Sequence, residues 1–409
     1  MRLILVTASL FVLLAGAAHA QSQAPATPPE TKVDASRGGV TISHGVNSLT
    51  IGARVQFRWT LDDREAFDGD TVGSGDGVED GLATNFDVPR LRMTFSGGAF
   101  KPWLRYSFQF EFSRTSGEGG SRIKDAVIEI RPVGRPYRFA VGQFKAPFGL
   151  QQITSSGRLQ FVDRAITDAK FNPGRDMGAL WSGTAAGRKF GYDLGLFNGS
   201  GESIRTTTEA VLWVARAYYE PLAPYTLSES SVDAGDKPSL HVGLATRGGK
   251  QIRGRTAAGV VEHADNQPAI DAEFAFKSKR LFSTAEFFWM TDEQKNPVAG
   301  PDINSHGLHA QVGYMLVPKR VEAGLLYAWI DPDTDVDAAA LQEWRGVFGY
   351  YWQAHNLKLQ ADAGQLLYGS AFSTLSSRAR QGLPSLGSRL VSGQRLADTQ
   401  VRVQLQLAF

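Results

Sequence analysis

The chain closes on Thr399-Gln400-Val401-Arg402-Val403-Gln404-Leu405-Gln406-Leu407-Ala408-Phe409. Val401, Val403, Leu405, Leu407 and Phe409 take every second position, and Gln400, Arg402, Gln404 and Gln406 stand between them. Period two is the repeat of a strand with one apolar and one wet face. Soluble domains more often end in a polar, frayed tail. This one ends on a strand whose last residue is aromatic.

The other terminus carries Arg2, an apolar run from Leu3 to Ala18 and the small-x-small step Ala18-His19-Ala20. That order is expected of a secretory signal peptide covering residues 1–20. The run falls short of the roughly 20 apolar residues that a spanning helix needs. Residues 21–47 begin rich in Ala, Pro, Gln and Thr, which cannot build a core, and read as a flexible periplasmic leader. Residues 48–409 form one further unit. There is no cysteine, so thiol chemistry and disulfides are excluded. Lys and Arg number 43 against 41 Asp and Glu, so net charge says nothing about partners and only placement can.

From Leu49 onward the period-two pattern returns in sixteen segments, such as Leu49–Leu61, Pro89–Gly97 and Trp103–Ser113. Short gaps, for example at Val133-Gly134 and Pro318-Lys319, alternate with longer ones. The gap at 221–238 breaks this rhythm by being long on the short side. Alternating short turns and long loops predict an all-β, sixteen-stranded antiparallel transmembrane barrel, with both termini on the periplasmic side. A soluble sandwich or propeller would also alternate. It would not tolerate unpaired Arg, Glu and Gln on its dry face. Aromatics such as Trp59, Trp213, Trp289, Trp344 and Trp352 near strand ends fit the girdles at two membrane interfaces. The barrel therefore meets outer-membrane lipid, and the last strand must close against the first. A final aromatic after such alternation is similar to the signal that barrel assembly machinery reads, which gives Phe409 that role.

Alternation also tells which charges face the lumen. Arg54, Arg58, Arg90, Arg92 and Arg105 on the first three strands and Arg402 on the last form one contiguous basic wall. Arg suits an anion path because its planar fork contacts two oxyanion oxygens and stays charged. Inward acids, including Asp271, Glu273, Glu286, Glu322 and Asp362, fall on later strands, while Glu111, Asp125 and Glu129 lie near the basic side. A basic wall facing an acidic one also suits an unselective diffusion porin. The histidines show no metal-ligand spacing, and no glycine-rich phosphate cradle precedes a helix. A barrel enzyme would need a nucleophile and base at one rim, which the scattered His44, His241, His263, His306, His309 and His355 do not supply. No cofactor, metal, catalytic residue or nucleic-acid partner is expected. A structural barrel with a blocked lumen is the remaining class.

The stretch Val141–Gly183 carries Gly142-Gln143-Phe144-Lys145, Pro147-Phe148-Gly149-Leu150, Thr154-Ser155-Ser156, Phe161-Val162-Asp163-Arg164 and Pro173-Gly174-Arg175-Asp176-Met177-Gly178. In these pieces the chain resembles the phosphate-selective porin O and P family. The resemblance implies a homotrimer, a third loop folded into the lumen and passage of phosphate or related small anions through a basic constriction. It makes Lys145, Arg158, Arg164, Lys170 and Arg175 candidates for the constriction loop. Arg164 and Arg175, each beside an acid, are either ion contacts or anchors of that loop.

Overall fold

The computed structural model describes residues 30–36, 38–65, 81–113, 121–204, 211–255, 261–295, 300–386, 393 and 395–409. The expected signal peptide and the first part of the leader lie outside these residues. Nineteen strands are described, in a single sheet. Two are short pieces of the leader, β1 (Lys32–Asp34) and β2 (Val40–His44). The first nine barrel strands are β3 (Asn47–Arg64), β4 (Gly81–Gly98), β5 (Leu104–Glu111), β6 (Arg122–Ile130), β7 (Tyr137–Lys145), β8 (Arg175–Ala185), β9 (Phe190–Phe197), β10 (Leu212–Tyr219) and β11 (Ser239–Arg255). A short strand, β12 (Val261–Asn266), extends β11 as a hairpin outside the wall. The wall continues with β13 (Ala269–Lys277), β14 (Leu281–Asp292), β15 (Ile303–Val317), β16 (Val321–Asp331), β17 (Leu341–Gln353), β18 (Leu357–Tyr368) and β19 (Leu396–Ala408).

Each barrel strand pairs antiparallel with its neighbour, and β19 pairs with β3 to close the wall, Gln404 opposite Arg58 and Leu405 opposite Phe57. Closure removes every sheet edge, the condition for strands to cross a bilayer. Phe409 completes the seam: its amide donates to the Ala53 carbonyl at 2.9 Å and its carbonyl accepts from the Ala53 amide at 2.8 Å. Its side chain is exposed on the outer face, in line with Leu405 and Leu407. The same outer surface exposes Phe57, Val141, Leu196, Leu244, Leu325 and Phe348 around the wall. That apolar belt faces lipid. No helix among the described residues is long and apolar enough to cross a membrane.

Three segments depart from the sequence pattern. β4 begins at Gly81, ahead of the expected Pro89, because the strand runs through a bulge: Gln56 pairs with Arg90, and Arg58 already pairs with Asp87. Pro89 cannot donate to the ladder and sits at that irregularity. β11 runs on through Gly248-Gly249, past the end of its period-two pattern at Arg247, into the hairpin with β12. The end of the leader is not free chain. β2 pairs with the start of β3, Val40 opposite Ile51, and β1 pairs with β2.

Candidate functional site: a divided lumen

The third loop, residues 146–174, turns inward and lies along one side of the lumen. Two short helices, α1 (Leu150–Ile153) and α2 (Thr167–Phe171), interrupt otherwise irregular backbone. Irregular backbone inside a barrel must find partners for its own amides and carbonyls, and the wall supplies them. The Leu150 and Gln151 amides donate to the Glu286 carboxylate at 2.5 and 2.8 Å. The Val162 amide donates to Asp362 at 3.0 Å and the Ile166 amide to Glu343 at 2.9 Å. In the other direction, Lys358 donates to the Leu159 carbonyl at 2.7 Å, Gln360 to the Gln160 carbonyl at 2.6 Å and Arg247 to the Phe171 carbonyl at 3.0 Å. Inward acids and bases of the later strands thus hold the loop. Apolar packing completes the contact: Phe171 stacks on Phe288 at 5.1 Å between ring centroids, and Phe148 lies 6.2 Å from the same ring. Gly149 needs its positive φ of 82°, and a Cβ there would strike the Asn172 side chain.

The expected basic wall meets the same loop. Arg58 and Arg90 converge on Asp163, at 3.2 and 2.8 Å. Burial pushes the Asp163 carboxyl up, but Arg90, Arg58 and Arg402 outweigh it and hold it well below the ordinary carboxylate range. Arg402 is bidentate to Asp362, both contacts at 2.7 Å. Arg54 reaches the Ser155 and Ser156 hydroxyls at 3.1 and 3.2 Å and lies across Gly157, where a side chain would collide with it. Arg92 binds Glu111 at 2.6 Å and Ser156 at 3.2 Å. Arg105 is exposed, opposite Gly98 and Glu129 near the periplasmic ends of the strands. Four of these six guanidinium groups, those of Arg54, Arg58, Arg90 and Arg92, thus grip the loop and do not stand free in water.

Among the loop candidates, Arg164 holds the loop to itself, donating to the Gln151 and Thr154 carbonyls at 3.0 and 2.9 Å, with Asp168 at 3.7 Å. Lys170 is buried and donates to the Ala379 carbonyl at 2.6 Å. Arg158 is exposed, and its carbonyl accepts from the Glu229 amide. Arg175 pairs with Asp125 at 2.8 and 3.2 Å, which anchors the start of β8. Lys145 donates to the Gln152 and Thr154 carbonyls at 2.5 and 2.9 Å and meets no carboxylate at ion-pair distance among the described residues.

Sequence reasoning did not place residues 220–238. This long segment on the short-turn side also enters the barrel. Ser228 to Val232 are buried, with Val232 packed on Met315 and Tyr351. Glu229 joins it to the third loop, accepting from Gln151 Nε2 at 3.0 Å and from the Gln160 amide at 2.9 Å. Lys277 ties it to the wall through Asp233 at 2.9 Å and Ser228 at 2.6 Å. Its unusual length was the only signal in the sequence.

Loop and segment together fill the side of the lumen walled by β11 to β19 and β3. Open space remains on the other side, between β4 and β10. A cavity of about 460 Å³ there is lined by Arg92, Arg138, Lys145, Arg175 and Arg216, and by three carboxylates, Asp125, Glu129 and Asp193. Arg138 pairs with Glu129 at 2.7 Å, and Arg216 with Asp193 at 3.2 Å and Glu273 at 2.7 Å. Ser155 and Ser156 of the third loop face the same space.

A closed sixteen-stranded barrel with an apolar outer belt, narrowed by an inward third loop, defines an outer-membrane porin. The chain belongs to the phosphate-selective porin O and P family, whose model matches residues 50–385. Among solved structures it is similar to an anion-selective porin of Comamonas acidovorans, 14% identical over 88% of this chain and 100% of that one, with a TM-score of 0.56. The outer-membrane channel DcaP of Acinetobacter baumannii is also 14% identical, over 89% and 97%, with a TM-score of 0.54. OmpT of Vibrio cholerae in a trimer form is 11% identical over 88% and 99%, with a TM-score of 0.51. At these identities the likeness is one of fold. No curated protein matches the sequence.

Proposed function

We propose that this porin lets small anions diffuse through the opening between the third loop and strands β4 to β10, and that Lys145 is the residue that biases it toward them. One observation carries the reading. Every other cation on the opening is offset by a carboxylate, whereas among the described residues Lys145 meets backbone carbonyls and no carboxylate at ion-pair distance. Five cationic side chains line that space beside three lining carboxylates, and Glu111 and Glu273 neutralise Arg92 and Arg216 from behind the lining. A distributed, partly neutralised field attracts an anion without trapping it, as conduction requires. The family description makes phosphate the first inorganic solute to try. The working unit is a homotrimer, as in the trimer form of the Vibrio cholerae relative. Purified protein in planar bilayers tests the reading: in a KCl gradient the reversal potential falls on the chloride side. A value at the midpoint would instead mark an unselective diffusion porin, with Asp125, Glu129 and Asp193 cancelling the cations. Mild detergent extraction followed by cross-linking tests the trimer.

A further inference from the structure

The open side of the lumen is not uniformly polar. On three adjacent strands the inward positions Val127, Ala140 and Leu180 pack into one apolar cluster, with Phe144 against it. All four line the opening. Two apolar side chains from the inserted segments line the same space: Ile153 from the third loop and Leu227 from the 220–238 segment. Leu227 is 40% exposed, an apolar surface turned into the lumen of a water-filled protein. Cations border this apolar band on both sides along the strands. Arg92, Lys145 and Arg175 lie toward the side where the third loop leaves and rejoins the wall, Arg138 and Arg216 toward the periplasmic turns.

An inorganic oxyanion gains nothing from such walls, because it must give up water to pass them without receiving hydrogen bonds in return. A solute with an oxyanion at one end and an apolar body at the other is matched by both features. Its charge meets the cations while its body displaces water from the apolar band. We propose that the opening favours organic oxyanions, namely carboxylates on an aromatic or branched aliphatic body, over inorganic phosphate. Leu227 and Val127 are the residues that set this preference. The proposal rests on the anion reading above.

Benzoate, phosphate and uncharged benzamide are the probes, each added to the native trimer conducting chloride in a planar bilayer. Benzoate is expected to reduce the current at lower concentration than phosphate, and benzamide to do so weakly. The ratio of the phosphate to the benzoate half-blocking concentration should fall about tenfold in Leu227→Ser, the effect of losing one partly buried aliphatic side chain. Val127→Thr, nearly isosteric and on the barrel wall, should lower the same ratio by a smaller factor even if the 220–238 segment docks poorly in the first variant. Phosphate blocking the native channel as well as benzoate does, or a ratio unchanged in both variants, would overturn the proposal. A native reversal potential on the potassium side would instead overturn the anion reading beneath it. Benzamide blocking as strongly as benzoate would show that the apolar band acts without the cations, and would also overturn the proposal.

Discussion

The two sides of the lumen are built from the same alternating strands and end in different states. From β11 round to β3 the inward side chains are spent on protein: Glu286, Glu343 and Asp362 receive amides of the third loop, and Lys358, Gln360 and Arg247 donate to its carbonyls. Between β4 and β10 inward side chains such as Ser107, Asp125, Glu129, Arg138 and Asp193 face a cavity, while Arg90 on β4 bonds the loop's Asp163 and Phe197, Leu212 and Val214 on β9 and β10 share an apolar cluster with its Phe148 and Phe171. Period-two alternation identifies a lumen-facing residue. It does not say whether water or another segment of chain stands opposite. Charge counted along the wall is therefore a poor guide to the charge a solute meets, and on the proposed reading the open side is where to count it.

The largest expected effect comes from loosening the packed side. Phe171→Ala removes a fully buried ring stacked on Phe288 and should weaken docking of the third loop by about 3–5 kcal/mol. Larger and noisier single-channel currents, with new protease cleavage in residues 146–174, would report it. Quiet currents of native size would mean that the ring contact does not hold the loop.

Next in size is Glu286→Gln, which leaves the Leu150 and Gln151 amides facing a neutral acceptor. About 1–3 kcal/mol of docking is at stake. Intermediate current noise is expected, and the same change at the half-buried Glu293, which bonds Asn266 and Lys295 away from the third loop, should leave the noise unchanged. Equal effects at the two sites would remove the distinction between structural and incidental carboxylates.

A smaller effect concerns pH. Asp163 is held below its ordinary value, so its contribution is present above the unfolded carboxylate range near 3.9 and is lost only as pH falls through the lower folded value. The grip of Arg58 and Arg90 on the loop should survive at pH 3 with unchanged conductance. An increase in conductance between pH 4.5 and 3, absent in Asp163→Asn, would show that the carboxylate titrates normally.

Most of the fold was legible because it depends on a local, repeated signal. All sixteen wall strands fall where alternation places them, and the terminal Val401–Phe409 stretch closes the seam as its pattern requires. What escaped is non-local or locally misleading. Pro89 and Gly248-Gly249 interrupt the period-two pattern, yet a bulge and a hairpin absorb them. The 220–238 segment has no periodicity; its inward course follows from Glu229, Val232 and Lys277 finding partners far away in sequence. For the site, the residue type and facing of Arg58, Arg90 and Arg402 were readable, but their partner Asp163 and the cover over them were not. Lys145 and Arg175 stood among the candidates without any local mark to rank them. Arg164 and Arg175 turn out to anchor, each through partners that lie across the loop or the wall.

The central claim is that ion preference resides on the open side, and one paired measurement tests it. Reversal potentials in a KCl gradient at low salt, where screening is weak, would be compared for Lys145→Gln and for the charge-neutral double change Arg58→Gln with Asp163→Asn. Arg164 also donates to the Thr154 carbonyl, at 2.9 Å, so the loop keeps an anchor there when Lys145 is changed. A clear shift toward potassium is expected in the first variant and a potential close to native in the second. A shift in the Arg58/Asp163 pair with none at Lys145 would contradict it and return selectivity to the clasped wall.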